Sequence, residues 1–270
     1  MSYLAACAIF RNEAPYLREW IEFHRQVGAE RFFLYDNGST DEAGESLAPY
    51  VAEGIATVHD WPDVPGQITA YQHCLDNYRE QARWIAFLDL DEFLFSPALT
   101  PVSQVLEDYE RHPAVMINRL NYGSSGHKKA PEGLVIENYL RRLPDDDDNS
   151  RHAKSVVQPA RTVGPRGLNP HCFIYDEGWA VNEEKKPIDH QPFGFVDMIS
   201  FERLRINHYI IKSEEQWEAK RNAPTPNSGK LRGLPPERPD RYSVEDDLIT
   251  AYAPAVRAAL AERDSAAASP

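Results

Sequence analysis

Cysteine is scarce and scattered: Cys7, Cys74 and Cys172 are the only three in 270 residues. An odd number at wide spacing builds neither a disulfide framework nor a cysteine zinc site. Long apolar runs are missing too, and no window reaches the roughly 18 apolar residues of a membrane helix. The opening MSYLAACAIFRNEAPYL has no basic lead, and its apolar run stops at Arg11, so it does not read as a secretory signal. Positive charge is also short, 29 Lys and Arg against 42 Asp and Glu, for a net charge of -13. Nucleic acid and anionic membranes reward clustered Lys and Arg, so neither is expected as the main partner. A bound polyanion must be held locally, by a metal or a few basic side chains. These deficits predict a reduced, cytoplasmic protein without an integral span. The remaining composition, 42% hydrophobic, is that of a folded chain with one large core.

Residues 1–120 alternate short apolar runs with longer amphipathic ones, the pattern of strands and crossover helices in a mostly parallel sheet. Strands are predicted at Leu4–Phe10, Phe32–Tyr35, Ile55–Val58, Trp84–Leu88 and Ala114–Leu120. Helices are predicted at Pro15–Val27, near Glu42–Glu53 and Gln67–Gln81, and at Val102–His112. The first carries Leu17, Trp20, Ile21, Phe23 and His24 at helical spacing, with Pro15 in its first turn, where proline costs least. Residues 121–222 lose this regularity and read as binding loops. YGSSGHKKAPEG is glycine-rich with two lysines, and Asp145–Asp148 is a solvated loop or a cation site. Residues 223–241 are proline-rich and read as a mobile loop or lid. Residues 242–270 return to a helix with a frayed tail.

The chemistry concentrates at FLDLDEF. Strand Trp84–Leu88 runs into Asp89, Leu90, Asp91 and Glu92, and side chains two apart in an extended segment point the same way. Asp89 and Asp91 can therefore face one cavity. Three carboxylates at the end of an apolar strand need neutralising, and a divalent cation is the economical answer; oxygen ligands favour Mn2+ or Mg2+. The carboxyl end of a parallel strand is also where open α/β sheets place ligands. The competing reading is a solvated turn whose acids cap the next helix. Asp36, closing the second strand, reads either as an acceptor for a ribose or base or as an Asx turn with Asn37 and Gly38. Arg11 and Glu13 stand at the first strand-to-helix junction, where a nucleotide would approach, although Glu13 can also complement the helix dipole.

IFRNEAPYLREWIEFHRQVG, YDNGSTD, FLDLDEFLF, YGSSGH with PEGLVIENY, and INHYIIKSEEQWEAKR together resemble the glycosyltransferase family 2 and family 92 group. The resemblance spans about Leu4 to Arg221. It implies an α/β, GT-A-like fold, a Rossmann-type, mixed and mostly parallel sheet flanked by helices, with an irregular acceptor-side segment towards the C-terminus. It further implies a metal-dependent transferase moving a sugar from a nucleotide-diphosphate donor, UDP-sugar favoured over GDP-sugar, to a glycan or other hydroxyl acceptor. Asp89 would lie near the ribose and with Asp91 at the Mn2+ or Mg2+ ion, joined by His171 or His208. Arg11, Glu13 and Asp36 would hold the nucleoside, and Lys154 would pair with phosphate. Gly123, Ser124, Ser125, Gly126 and His127 would form the acceptor-side loop. An inverting reaction needs a carboxylate base, for which Glu137 is chosen ahead of Glu132 and Asp176. Trp179, Phe193, Phe195 and Trp217 are core aromatics or platforms for an acceptor sugar. Two other functions compete. FLDLDEFLF also resembles the nucleophile motif of haloacid dehalogenase-type phosphatases, and a non-catalytic nucleotide or glycan binder would keep the same carboxylates.

Overall fold

The computed structural model describes residues 1–188, 194–223, 225, 228–231 and 241–267. The first half follows the expected alternation: β1 (Ser2–Phe10), α1 (Ala14–Gln26), β2 (Ala29–Asp36), α2 (Ala43–Ala52), β3 (Ala56–Asp60), α3 (Gln67–Tyr78) and β4 (Ala82–Phe87). Next come β5 (Glu92–Phe95), α4 (Val102–Leu106), β6 (Ala114–Asn121), α5 (Val135–Asn138), β7 (Arg141–Arg142), β8 (Ala153–Val157), β9 (Thr162–Arg166) and β10 (Asn169–Tyr175). The chain ends with β11 (Arg205–His208), α6 (Glu214–Arg221), β12 (Val244–Glu245) and α7 (Ala253–Ala267).

Eight strands form one sheet in the order β3-β2-β1-β4-β8-β6-β11-β5. β3, β2, β1 and β4 pair in parallel, as do β6 and β11, while β8 runs antiparallel between β4 and β6 and β5 closes the edge against β11. β1 to β4, β6 and β11 thus all point one way, so the expected mixed, mostly parallel α/β sheet is the one the chain forms. Two cores follow from the pleat. Leu4, Ala6, Ala8 and Phe10 of β1 pack with Leu17, Trp20 and Ile21 of α1 on one face. Ala5, Cys7 and Ile9 pack with Tyr71, Cys74 and Leu75 of α3 on the other. Among the described residues no helix is long and apolar enough to cross a membrane.

The expected elements are recovered with shifted ends, except that the helix from Val102 stops at Leu106 and continues only as a 3-10 turn, Glu107–Tyr109. Val102, Val105, Leu106 and Tyr109 bury the inner side of that pair. The irregular region after 121 is more ordered than its composition suggests. It supplies β8 and β11 to the main sheet, the β9–β10 hairpin and the capped helix α6. In the run Asp145–Asp148, Asp145 pairs with Arg142 and Asp147 with Arg241. Of the expected lid, 224, 226–227 and 232–240 lie outside the described residues.

Candidate active site

Parallel strands raise their carboxyl ends at one edge of the sheet, and a cavity of about 820 Å3 opens there. Arg11 and Glu13 enter from the loop after β1, Asp89 and Asp91 from the turn after β4, and Arg119 from the end of β6. His171 comes from β10, His208 from the end of β11, and Lys212 and Lys220 from either end of α6. The β1–α1 junction, both motif aspartates and both candidate histidines therefore line one cavity. Ala223 and Thr225, at the start of the proline-rich stretch, also line the cavity.

β4 ends at Phe87 and β5 begins at Glu92, so Leu88 to Asp91 form the turn between them. Glu92 closes this turn: its Oε2 accepts from the Asp89 backbone N–H at 2.9 Å, and its own N–H donates to Asp89 O at 3.0 Å. Glu92 is fully buried, and its Oε1 accepts from Arg119 at 2.9 Å. Lys154 Nζ, from β8, stands 2.8 Å from Asp89 Oδ2 and 3.3 Å from Glu92 Oε2. These contacts place one buried ammonium against two carboxylates. Basic side chains thus stand against Asp89 and Glu92, a source of neutralisation that the sequence reading did not include beside a divalent cation. Burial alone would raise the Asp89 carboxyl, but Lys154 outweighs it and brings it to about 2. Gln67, at the start of α3, completes the hold on Asp89 by donating to Oδ1 at 3.0 Å.

Asp91 has different partners. Its Oδ1 lies 3.5 Å from His208 Nε2, and its Oδ2 accepts from Lys220. Burial pushes Asp91 up, yet Lys220 and then His208 hold it well below the usual carboxylate range. Burial also lowers His208 to about 4, beyond what Asp91 restores, so its imidazole is neutral near pH 7. His208 Nδ1 is 2.7 Å from the side-chain oxygen of Asn121, which orients the ring with Nε2 towards Asp91. An oriented imidazole nitrogen beside a carboxylate is an arrangement that can supply two ligands to a cation. Among the described residues no third carboxylate, histidine or cysteine completes a metal shell. Mg2+ and Mn2+ chemistry does not require one, because protein sites for donor phosphates often give one or two ligands and leave the rest to phosphate and water. Asp91 and His208 fit such an ion, and both histidines line the cavity. His171 Nδ1–H donates to Ala153 O at 2.8 Å, and burial, then Lys154 and Arg119, push the ring well below the usual histidine range.

Several expected site residues lie elsewhere. Lys154 does not line the cavity, being buried between two carboxylates, so it is not free to take a phosphate. Asp36 also stays outside; its Oδ1 accepts from Ser39 N–H at 2.7 Å, three residues on, closing the loop across Asn37 and Gly38. Ser39 Oγ in turn accepts from Asn12 N–H at 3.0 Å, so Asp36 shapes the Arg11–Glu13 loop indirectly. Glu137, on α5, pairs with Arg257 of α7 away from the cavity, which removes it as a base. Glu132 and Asp176 are exposed and outside it as well. None of Gly123, Ser124, Ser125, Gly126 and His127 lines the cavity. Ser125 Oγ accepts from Leu140 and Arg141 N–H, and His127 Nε2 meets Asn138 O at 3.2 Å, so the loop is stapled to the α5–β7 segment. Trp179, Phe195 and Trp217 do not line the cavity either, and Phe193 is outside the described residues.

Gln67, Arg119, Asn121, Lys212 and Lys220 were not anticipated. Arg119 and Asn121 gave a signal, polar residues in an otherwise buried strand, AVMINRLN. Ser213-x-x-Gln216 gave another, a capping box that starts α6 and thereby places the two lysines. Lys212 Nζ lies 3.3 Å from Glu13 Oε2 and 3.5 Å from the Tyr16 ring centre.

The α/β sheet thus gathers paired acids, two histidines and several basic side chains over its strand ends. The chain belongs to glycosyltransferase family 92, which it matches over residues 3–190. It is 35% identical over 180 residues to a glycosyltransferase family 92 protein of Oryza sativa subsp. japonica, covering 65% of this chain and 30% of that protein. It is 27% identical over 255 residues to one from Arabidopsis thaliana, covering 88% and 44% respectively. The galactan beta-1,4-galactosyltransferase GALS2 of Arabidopsis thaliana is 33% identical over 128 residues, 43% of this chain and 25% of that protein. The chain thus spans less than half the length of these relatives.

Proposed function

We propose that this chain transfers a hexosyl group from a UDP-sugar to a hydroxyl of a glycan or similar acceptor, with Mn2+ or Mg2+ held by Asp91 and His208. The observation that carries the reading is His208 Nε2 lying 3.5 Å from Asp91 Oδ1 in the cavity at the strand ends. Family membership supports sugar transfer, and similarity to a galactosyltransferase makes a galactosyl donor the first to test. When bound, the ion would neutralise charge developing on the departing diphosphate. The chain's own residues do the rest. Asn121 orients the His208 ring, and Glu92 and Lys154 hold the Asp89 turn in shape. Arg11 and Lys212 add positive charge where an anionic donor would enter. An inverting transfer needs an acceptor-side base, and the cavity carboxylates outside the ion site are Glu13 and Asp89. The family assignment displaces the phosphatase reading.

The test is thermal stability with UDP, GDP and CMP, with and without Mn2+, followed by donor hydrolysis and transfer assays. Ligand binding raises stability by mass action, so UDP with Mn2+ should shift Tm most. Nucleotide binding indifferent to Mn2+ would refute the ion site, and binding without donor hydrolysis or transfer would leave a non-catalytic binder.

A further inference from the structure

Asp91 divides its two oxygens: Oδ1 faces His208, and Oδ2 accepts from the ammonium of Lys220, which also donates to Ile210 O at 3.1 Å. The placement is built. Ser213 and Gln216 close a capping box at the start of α6, and Lys220 projects from its last turn. Ala223 and Thr225 continue along the cavity wall beyond it. The Lys220 side chain keeps about a fifth of its surface exposed, against less than a tenth for Asp91 and His208. It is the most open member of the trio, on a flexible stem with three donors.

A divalent ion at Asp91 and an ammonium on the same carboxylate repel, so Lys220 opposes an ion that arrives alone. A nucleoside diphosphate reverses this, since its oxygens offer the ammonium another partner in the same cavity. We propose that Lys220 is a resident stand-in for the cation, satisfying Asp91 while no divalent ion is bound and moving to the diphosphate when ion and nucleotide enter together. The inference rests on the ion site proposed above. Its consequence is coupling: nucleotide tightens ion binding and ion tightens nucleotide binding by the same factor, with Lys220 supplying much of it. It also keeps the site from filling with metal when no donor is present.

The experiment measures Mn2+ binding to the whole chain by electron paramagnetic resonance, with and without UDP, in wild type, Lys220→Met and Lys220→Arg. Lys220→Met should bind Mn2+ alone at least about ten-fold tighter, while the factor by which UDP tightens Mn2+ falls at least about ten-fold. Lys220→Arg, which keeps the charge, should restore weak binding of the lone ion. A merely structural role would weaken both affinities in Lys220→Met, and that result overturns the stand-in. Equal Mn2+ affinity in wild type and Lys220→Met also overturns it, while leaving the ion site standing. No Mn2+ bound by any of the three proteins, even with UDP, overturns the ion site and the stand-in together.

Discussion

His208 Nδ1 lies 2.7 Å from the side-chain oxygen of Asn121, and that contact decides how the ring is turned. Without the Asn121 contact, the imidazole can rotate and turn its Nε2 away from Asp91. Asn121→Ala is therefore expected to weaken Mn2+ binding about 10- to 100-fold, the usual range for losing a partner that orients a ligand. Isothermal titration in the presence of UDP would read this, and unchanged affinity would remove His208 from the site. Asp91→Asn should lower transfer by at least about 100-fold, because it removes the charge on which the ion depends. Glu137→Gln makes the contrast: its carboxylate is occupied by Arg257 outside the cavity, so turnover should stay within about two-fold of wild type. A large loss of turnover in that variant would contradict its placement. Sequence revealed Asp89 and Asp91 because carboxylates at an apolar strand end are conspicuous. It did not reveal that Lys154 is consumed by Asp89 and Glu92, since the strand carrying that lysine inserts between β4 and β6 from far along the chain.

Helix α1 shows where element-level reading stops. Its spacing of Leu17, Trp20 and Ile21 exposes the helix at once, but Glu19 and Glu22 on the same helix are buried too, for reasons lying in distant segments. Glu19 accepts from the N–H groups of Val135 and Ile136, at 2.8 and 3.1 Å, at the start of α5. Burial raises its carboxyl to about 7 despite these two donors. A carboxyl whose folded value exceeds its unfolded 4.5 binds more protons folded than unfolded in between, so stability falls as pH rises from about 4.5 to 7. A displacement of this size corresponds to about 3 kcal/mol, lost by pH 8. Glu19→Gln cannot titrate, so its urea midpoint should gain on the wild type's between pH 4.5 and pH 8. Parallel curves for the two proteins would refute the buried carboxyl. Similar distance effects hid β11, whose four residues are too short a run to announce a strand yet bridge β6 and β5.

At the scale of the whole molecule, the last helix is tied back to the first. α7 brings Arg263 against Glu22 of α1 and Glu53 beyond α2, with its guanidinium 4.0 Å from the Tyr50 ring centre, while Arg18 of α1 reaches Asp264. The ends of the chain thus clamp the face of the sheet opposite α3, which matters because that face carries α1 and the Arg11–Glu13 loop. The alternating first half of the sequence announced the sheet, but nothing local announced this closure, since a terminal alanine-rich helix reads the same whether docked or free. The two partners of Arg263 differ in kind. Glu22 is fully buried and Glu53 is half exposed, so the first ion pair should carry most of the stabilisation. Stranding a buried charge costs about 3–5 kcal/mol, but Arg25 remains 2.9 Å from Glu22 and a methionine keeps the apolar stem over Tyr50. Arg263→Met is therefore expected to cost about 2 kcal/mol in urea unfolding, and Glu53→Gln less than about 0.5, with Mn2+ affinity unchanged in both. If Glu53→Gln cost as much as Arg263→Met, the clamp would reside in the exposed pair, and the burial of Glu22 would have to be satisfied by Arg25 alone.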